Sequence, residues 1–163
     1  MLNFLRPTLY IQISPECVTV KNVKSGISIA EVPEMAINTG DKPTILAVGS
    51  LARLAAAAQG AQVINPFAHP RTMVSDFTTA ELLLKSLVRQ VMGRSPLMFA
   101  PTVVIHPLGS PAGGFTQVEY RAFREMALGA GGSQAFVWTG RVLTDAEVSS
   151  RSFPIADGQL GER

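Results

Sequence analysis

Alternation of hydrophobic and polar positions dominates the first third of the chain and predicts β-strands. Leu9, Ile11 and Ile13 share one face of the first such segment. Tyr10 and Gln12 share the other face. Because the connections between the first three segments are short, we expect them to form an antiparallel meander. The predicted strands in this part of the chain are residues 9–13, 18–23, 26–32, 34–38, 44–48 and 63–64.

An alanine-rich segment and a longer amphipathic segment predict two helices. Residues 51–59 have high helix propensity, with Ser50 as the predicted N-cap and Gly60 as the stop. Residues 78–92 carry apolar side chains at intervals of three and four. This spacing predicts a helix that packs one face against a sheet.

A third amphipathic helix is predicted at residues 116–131, between β-rich segments at 102–105 and 135–138. The order strand, connection, helix, strand is typical of a βαβ unit. The apolar side of the helix is predicted to consist of Val118, Ala122, Phe123, Met126 and Ala127.

The text of this helix, TQVEYRAFREMALGAG, resembles the corresponding helix of the bacterial actin family, the rod-shape-determining MreB proteins. The family text reads close to T-Q-V-E-R-R-A-I-R-E-S-A-L-E-A-G. Residues 46–49 and 74–85 also resemble family segments. The resemblance implies an α/β fold, the ribonuclease-H-like half of an actin-like ATPase. Such a half has a mixed five-stranded sheet with flanking helices and a small inserted subdomain.

The resemblance also implies a division of the chain. Residues 1–8 form an amino-terminal apolar segment, and residues 9–148 form the actin-like ATPase domain I, subdomain IA. The inserted subdomain IB is expected at about residues 34–64. Residues 149–163 are polar and are expected to form a flexible tail. The second, homologous half of the family's fold has no counterpart in this sequence.

The family's first phosphate loop is altered at several positions. Its pattern is D-x-G-T-x-N-T, in which the aspartate orders magnesium and the glycine lets backbone N–H groups approach phosphate. Here Gln12 replaces the aspartate and Ser14 replaces the glycine. Pro15 has no N–H to donate, and Glu16 adds a negative charge where a polyphosphate would lie. We therefore predict a degenerate loop, a pseudo-ATPase, and no cofactor or metal.

Gln117 and Glu119 match the family positions that place the attacking water, and they are the vestigial catalytic candidates. Without phosphate or magnesium nearby, such groups perform no catalysis. The alternative interpretation is that they occupy the first turn of a helix, where a carboxylate complements the helix dipole. His69, His106 and the lone Cys17 lack metal-ligand spacing and are expected to be ordinary side chains.

Composition and charge exclude several function classes. The 47% apolar content is ample for a core. The net charge of +2 and the lack of a lysine or arginine run argue against nucleic-acid binding. No apolar run approaches the about 18 residues that span a bilayer, and no export signal is evident. A single cysteine fits a reducing compartment, so we expect a cytoplasmic protein.

The first residues offer one route to a membrane. Met1, Leu2, Phe4 and Leu5 surround Arg6, and family members from Gram-negative cells begin with similar segments that lie on the inner membrane. A few large side chains give a weak, reversible peripheral contact. A frayed terminus, or one packed on the core, is the alternative.

These observations predict a non-catalytic, MreB-like scaffold or interaction module linked to cell shape or envelope assembly. The partner is expected to be a second copy or an actin-like filament subunit, because an uncovered half would expose apolar surface. The alternative is an ATPase that binds magnesium-ATP at a site completed across an oligomer interface. A further alternative is a subunit that serves as a spacer in a larger complex.

Overall fold

The strand-forming segments make two sheets in the computed structural model, which describes residues 6–69, 72–94 and 99–161. The larger sheet, as far as these residues show, has six strands: β1 (Thr8–Ile13), β2 (Val18–Asn22), β3 (Ser28–Glu31), β7 (Thr102–Pro107), β8 (Gln134–Gly140) and β9 (Gly158–Leu160). Their spatial order is β3-β2-β1-β7-β8-β9.

The strand directions confirm two of the predicted motifs. β1, β2 and β3 pair antiparallel as a meander. β1, β7 and β8 run parallel, so that β7, the following helix and β8 form the βαβ unit. Parallel strands end at the same edge of a sheet, and the segments after β1, β7 and β8 therefore leave the sheet together.

Two helices cover one face of the larger sheet. Helix α2 (Phe77–Met92) lies over β2 and β3, and helix α3 (Gln117–Gly129) lies over β7 and β8. Asp76 is the N-cap of α2, and its carboxylate accepts a hydrogen bond of 3.0 Å from Thr79 N. The shared core consists of buried side chains from both helices and from the strands, including Leu9, Ile11, Leu83, Leu87, Ile105, Phe123 and Met126.

The predicted apolar face of α3 is wrong at its first position. Val118 is 77% exposed, whereas Phe123, Met126 and Ala127 are buried as predicted. Tyr120 packs against the core instead. The helical period therefore located the core-facing stripe, but the first turn of α3 places Val118 in solvent.

The opposite face of the sheet carries a second core beneath a short helix, α4 (Asp145–Ser150). Tyr10, Val104 and Trp138 are buried there with Leu143 and Val148. Thr144 caps α4 through a capping box with Glu147. This arrangement is the helical turn that we predicted near residues 144–148.

Part of the segment expected to be a flexible tail is instead the sixth strand. β9 pairs antiparallel with β8, opposite residues 138–140. The close approach depends on Gly158, because a Cβ at this position would collide with Thr139 O and the Trp138 ring. Phe153 stacks on Trp138 with a ring-centroid distance of 5.9 Å. The sheet therefore has one strand more than the five we expected.

The smaller sheet comes from residues 35–64, and within the described residues it has three antiparallel strands. These are β4 (Met35–Asn38) at the centre, with β5 (Thr44–Val48) and β6 (Gln62–Ile64) on either side. Helix α1 (Ala52–Gln59) packs on this sheet through small side chains, Ala36, Ala52 and Ala56. That the segment corresponds to subdomain IB stays a prediction.

The predicted capping role of Ser50 is wrong. A short 3-10 helix (Gly49–Leu51) precedes α1, and the N-cap of α1 has no side-chain hydrogen bond. Instead Glu31, at the end of β3, accepts a hydrogen bond of 2.9 Å from Ser50 N. Glu34 binds Arg53 at 2.7 and 2.9 Å through both carboxylate oxygens. The Glu31 contact joins the end of β3 to the segment that follows β5, whereas the Glu34–Arg53 pair lies beside the smaller sheet, between the start of β4 and α1.

Candidate functional site

The turn that corresponds to the predicted phosphate loop, residues 14–17, is closed by its own hydrogen bonds. Ser14 N donates to Cys17 O at 2.9 Å. Cys17 N donates to Ser14 Oγ at 3.1 Å, and this hydroxyl donates back to Cys17 O at 3.2 Å. Pro15 has no N–H. Among these four residues, only Glu16 retains a backbone donor that these bonds do not use.

Neighbouring groups hold this turn against the protein. Asn65 Nδ2 donates to Pro15 O at 2.9 Å, and Asn65 Oδ1 accepts from Phe67 N at 3.0 Å. Gln12 is half-buried on β1, opposite Thr19 of β2 in the sheet register, and it carries no charge that could hold a dication. The exposed carboxylate in the turn is Glu16. The turn therefore presents one carboxylate and one free N–H to a ligand, which does not fit a magnesium-bound polyphosphate.

Gln117 and Glu119 lie in the first turn of α3, and Glu119 belongs to a capping box. Its carboxylate accepts from Thr116 N at 2.8 Å, while Glu119 N donates to Thr116 Oγ1 at 3.2 Å. Gln117 is exposed beside a shallow depression of about 360 Å³. The geometry gives Glu119 a structural partner, and a catalytic role for either residue stays a prediction.

A cation follows β8 at the same edge of the sheet, but two carboxylates neutralise it. Arg141 contacts Glu147 Oε1 at 2.6 Å and Asp157 Oδ2 at 2.9 Å. The hydrogen bonds from Arg141, with those from Thr144, lower the pKa of Glu147 to about 2. Because its donors are occupied, Arg141 is not arranged to receive a phosphate.

A buried pair that the sequence did not single out, Tyr10 and His106, lies under the same edge. His106 Nε2 is 3.1 Å from Gly140 O, which can only accept, so Nε2 carries the proton. The Tyr10 hydroxyl then donates to His106 Nδ1 at 2.7 Å and accepts from Leu143 N at 3.1 Å. Burial lowers the pKa of His106 and is the main cause that raises the pKa of Tyr10. With both side chains neutral, the Tyr10 hydroxyl, the two ring nitrogens of His106, Gly140 O and Leu143 N all have hydrogen-bond partners.

The remaining candidates do not assemble into a site. Cys17 is half-buried, with its sulfur 3.9 Å from Thr19 Oγ1. Among the described residues, no group of three or more His, Cys, Asp or Glu side chains is placed to hold a metal ion. The membrane-contact candidates Met1, Leu2, Phe4 and Leu5 lie outside the described residues. In the part of the chain that the structure describes, no helix is long and apolar enough to cross a bilayer.

The architecture defines the class of protein, one half of the actin-like ATPase fold with its mixed sheet and flanking helices. MreB5 of Spiroplasma citri bound to ADP matches 81% of this chain and 37% of its own length, with a TM-score of 0.63 and 19% identity. The same protein bound to AMPPNP gives a TM-score of 0.60 at 18% identity, over 81% of this chain and 38% of its own. A non-polymerising MamK mutant, A278D, bound to AMPPNP gives a TM-score of 0.65 at 15% identity, over 82% of this chain and 41% of its own length.

Sequence comparison supplies the family. The profile of the MreB/Mbl protein family matches residues 11–145, and the chain belongs to that family. No curated protein sequence matches the chain. The chain spans about two fifths or less of the length of the structures it matches. The predicted resemblance and fold class are therefore confirmed.

Proposed function

We propose that this protein is a non-catalytic, MreB-like scaffold or interaction module. The observation that carries the proposal is the closed turn at residues 14–17, in which Ser14 and Cys17 consume each other's polar groups. A phosphate cradle needs backbone N–H groups that converge on the ligand. Here Pro15 removes one donor, and Glu16 would repel the anion.

Two further features at this edge of the sheet support the proposal. Glu119 is engaged in the cap of α3, and Arg141 is paired with Glu147 and Asp157. Glu119 and Arg141 are therefore already used in stabilising the fold. An ATPase instead needs such groups free to stabilise charge that develops in the transition state.

Magnesium-ATP binding is the decisive measurement. At about a hundred times its dissociation constant, a ligand adds about 2.7 kcal/mol of stability, which raises Tm by about 5 to 11 °C at this chain length. We expect no shift here and a clear shift for MreB5 of Spiroplasma citri, whose structures contain ADP or AMPPNP. A shift that grows with protein concentration would instead support a site completed across an oligomer interface.

An exposed apolar stripe on α1 and the 3-10 helix before it supports the interaction role. Leu51 and Leu54 are 64% and 71% exposed, and Ala57 and Ala58 continue the exposed side. Arg53 lies between these two leucines in the sequence, but it is paired with Glu34 and therefore adds little net charge to the stripe. Neighbouring large apolar side chains with such high exposed fractions are typical of a surface that a partner covers.

Self-association tests this surface. We expect the wild-type chain to give a concentration-dependent mass increase in light scattering and the Leu51→Gln/Leu54→Gln variant to lose it. Val118→Gln is the matched control, because Val118 is a similarly exposed apolar side chain on α3. A wild-type monomer at all concentrations would contradict self-association and leave an actin-like filament subunit as the proposed partner.

The cell-shape role and the location belong to the same proposal, and membership of the family supports them. We infer a cytoplasmic protein that meets the inner membrane weakly through Met1, Leu2, Phe4 and Leu5. Co-sedimentation with anionic vesicles, compared between the full chain and a variant with these four side chains changed to serine, measures this contact. Equal sedimentation of the two proteins would contradict it.

A further inference from the structure

A groove with a volume of about 830 Å³ runs between α2 and strand β5 of the smaller sheet. It follows α2 from Leu82 to Gly93, which is about 16 Å of helix axis at 1.5 Å per residue. Its lining consists of Ile45, Leu82, Lys85, Ser86, Arg89, Gln90, Gly93 and Arg94. None of the sites described above uses this groove.

The charge of the groove has one sign. Lys85, Arg89 and Arg94 line it and are exposed, and the lining contains no carboxylate. Among residues 6–69, 72–94 and 99–161, none of these three cations forms an ion pair. Lys21 and Arg141, by contrast, do have carboxylate partners. The cations of the groove are therefore available to an anionic partner.

Two apolar side chains give the groove a second kind of contact. Ile45 on β5 is 45% exposed and Leu82 on α2 is 39% exposed, and both line the groove. Ser86 lies one turn after Leu82 and contributes a small side chain to the lining beside Lys85. An occupant that satisfies this surface carries both an apolar side chain and carboxylates.

We propose that this groove binds an acidic segment of a partner protein, anchored by an apolar side chain against Ile45 and Leu82. Lys85 and Arg89 are one helical turn apart, about 6 Å along the axis. This separation matches carboxylates four residues apart in a helix or two apart in a strand. The concave shape does not suit a planar lipid surface, and the lining has no aromatic side chain on which a nucleotide base could stack.

This proposal deepens the interaction role proposed above by naming the chemistry of a partner, and it does not depend on the nucleotide result. The probe is a fluorescein-labelled peptide of about 12 residues built from glutamate and leucine, which spans about 18 Å as a helix. A peptide of the same charge with serine in place of leucine is the comparison. Binding is measured by fluorescence anisotropy on the full chain.

We expect the glutamate–leucine peptide to bind more tightly than the glutamate–serine peptide. Raising the salt from about 0.1 M to about 1 M shortens the Debye length from about 10 Å to about 3 Å and should weaken binding. Lys85→Glu/Arg89→Glu should weaken it about tenfold or more. Arg121→Glu/Arg124→Glu reverses two cations on α3 and should leave binding within about twofold of wild type, because charges outside the site act only at long range.

Several outcomes would overturn the proposal. One is that Lys85→Glu/Arg89→Glu and Arg121→Glu/Arg124→Glu weaken peptide binding equally. The others are equal affinity for the glutamate–leucine and glutamate–serine peptides, or no binding of either peptide. Tighter binding to anionic vesicles or to duplex DNA than to the peptide, if Lys85→Glu/Arg89→Glu removes it, would assign the groove to a different occupant and also overturn the proposal. Leu82→Gln provides a variant without a charge change, and it should reduce the preference for leucine over serine. Unchanged Tm values confirm that each variant is folded.

Discussion

Replacement of Tyr10 by phenylalanine is the most direct test of the second core. The substitution removes one hydroxyl and leaves the ring in place, so that it creates almost no cavity. It also leaves His106 Nδ1 without its donor at 2.7 Å and Leu143 N without its acceptor at 3.1 Å. Both Tyr10 and His106 are buried, so water does not readily replace the hydroxyl.

The magnitude follows from these two unsatisfied groups. Each buried polar group left without a partner costs about 1 to 3 kcal/mol, so Tyr10→Phe should lower the free energy of unfolding by about 2 to 6 kcal/mol. For a chain of this length, 1 kcal/mol corresponds to about 2 to 4 °C, and the expected fall in Tm is about 4 to 24 °C. Differential scanning calorimetry at neutral pH measures it.

Tyr120→Phe is the matched control. Tyr120 is half-buried, and its hydroxyl makes one hydrogen bond of 2.5 Å to Thr139 Oγ1. The Thr139 hydroxyl keeps a second partner, Gln159 O, at 3.4 Å. We therefore expect a loss of about 1 kcal/mol. A Tyr10→Phe variant no less stable than Tyr120→Phe would refute the reasoning that the Tyr10 hydroxyl is the hydrogen-bond partner of both His106 Nδ1 and Leu143 N.

Three further predictions follow from the same structure. Because burial lowers the pKa of His106, the unfolded chain binds this proton at higher pH, and stability should fall as pH drops below about 6.5, by at most about 1.4 kcal/mol per pH unit. His106→Asn should remove this component from denaturant titrations. Glu147→Gln should lower Tm at neutral pH and flatten the acid loss of stability between about pH 4.5 and about pH 2. Gly158→Ala should displace β9, cost about 1 to 3 kcal/mol and speed amide exchange there.

The controls for these predictions use the same chain. Gly40→Ala adds a methyl group with only ordinary contact, so it should leave the stability nearly unchanged, and a loss equal to that of Gly158→Ala would contradict the packing argument. Identical pH dependence in the wild type and His106→Asn above about pH 5 would contradict the assignment to His106. An acid limb that Glu147→Gln does not alter would contradict the role of Arg141.

Local pattern predicted most of the secondary structure, because the spacing of apolar residues that marks each element is visible within a short segment of sequence. The period of two located β1 and β2, and the period near 3.6 located α2 and the core-facing residues of α3. The start of α1 was not predicted correctly, because the group that binds the backbone there is distant in sequence. Glu31 accepts from Ser50 N across 19 residues, and nothing near Ser50 in sequence indicates this contact.

The candidate site was only partly predictable for the same reason. The absence of the family's aspartate and glycine was evident at Gln12 and Ser14, but the hydrogen bonds that close the turn depend on backbone conformation. Tyr10 and His106 are 96 residues apart, and their contact depends on the register between β1 and β7. In the sequence His106 appeared as an isolated polar residue among prolines.

At the same edge of the larger sheet, polar groups after three strands find their partners within the chain. After β1, Ser14 and Cys17 close the turn; after β7, Leu108 N donates to Ile13 O at 2.8 Å. After β8, Arg141 is held by two carboxylates. Polar groups at the ends of parallel strands need partners, which a bound ligand or the chain itself can supply. At the three strand ends described here they come from the protein itself, and this supports the proposal of a non-catalytic scaffold.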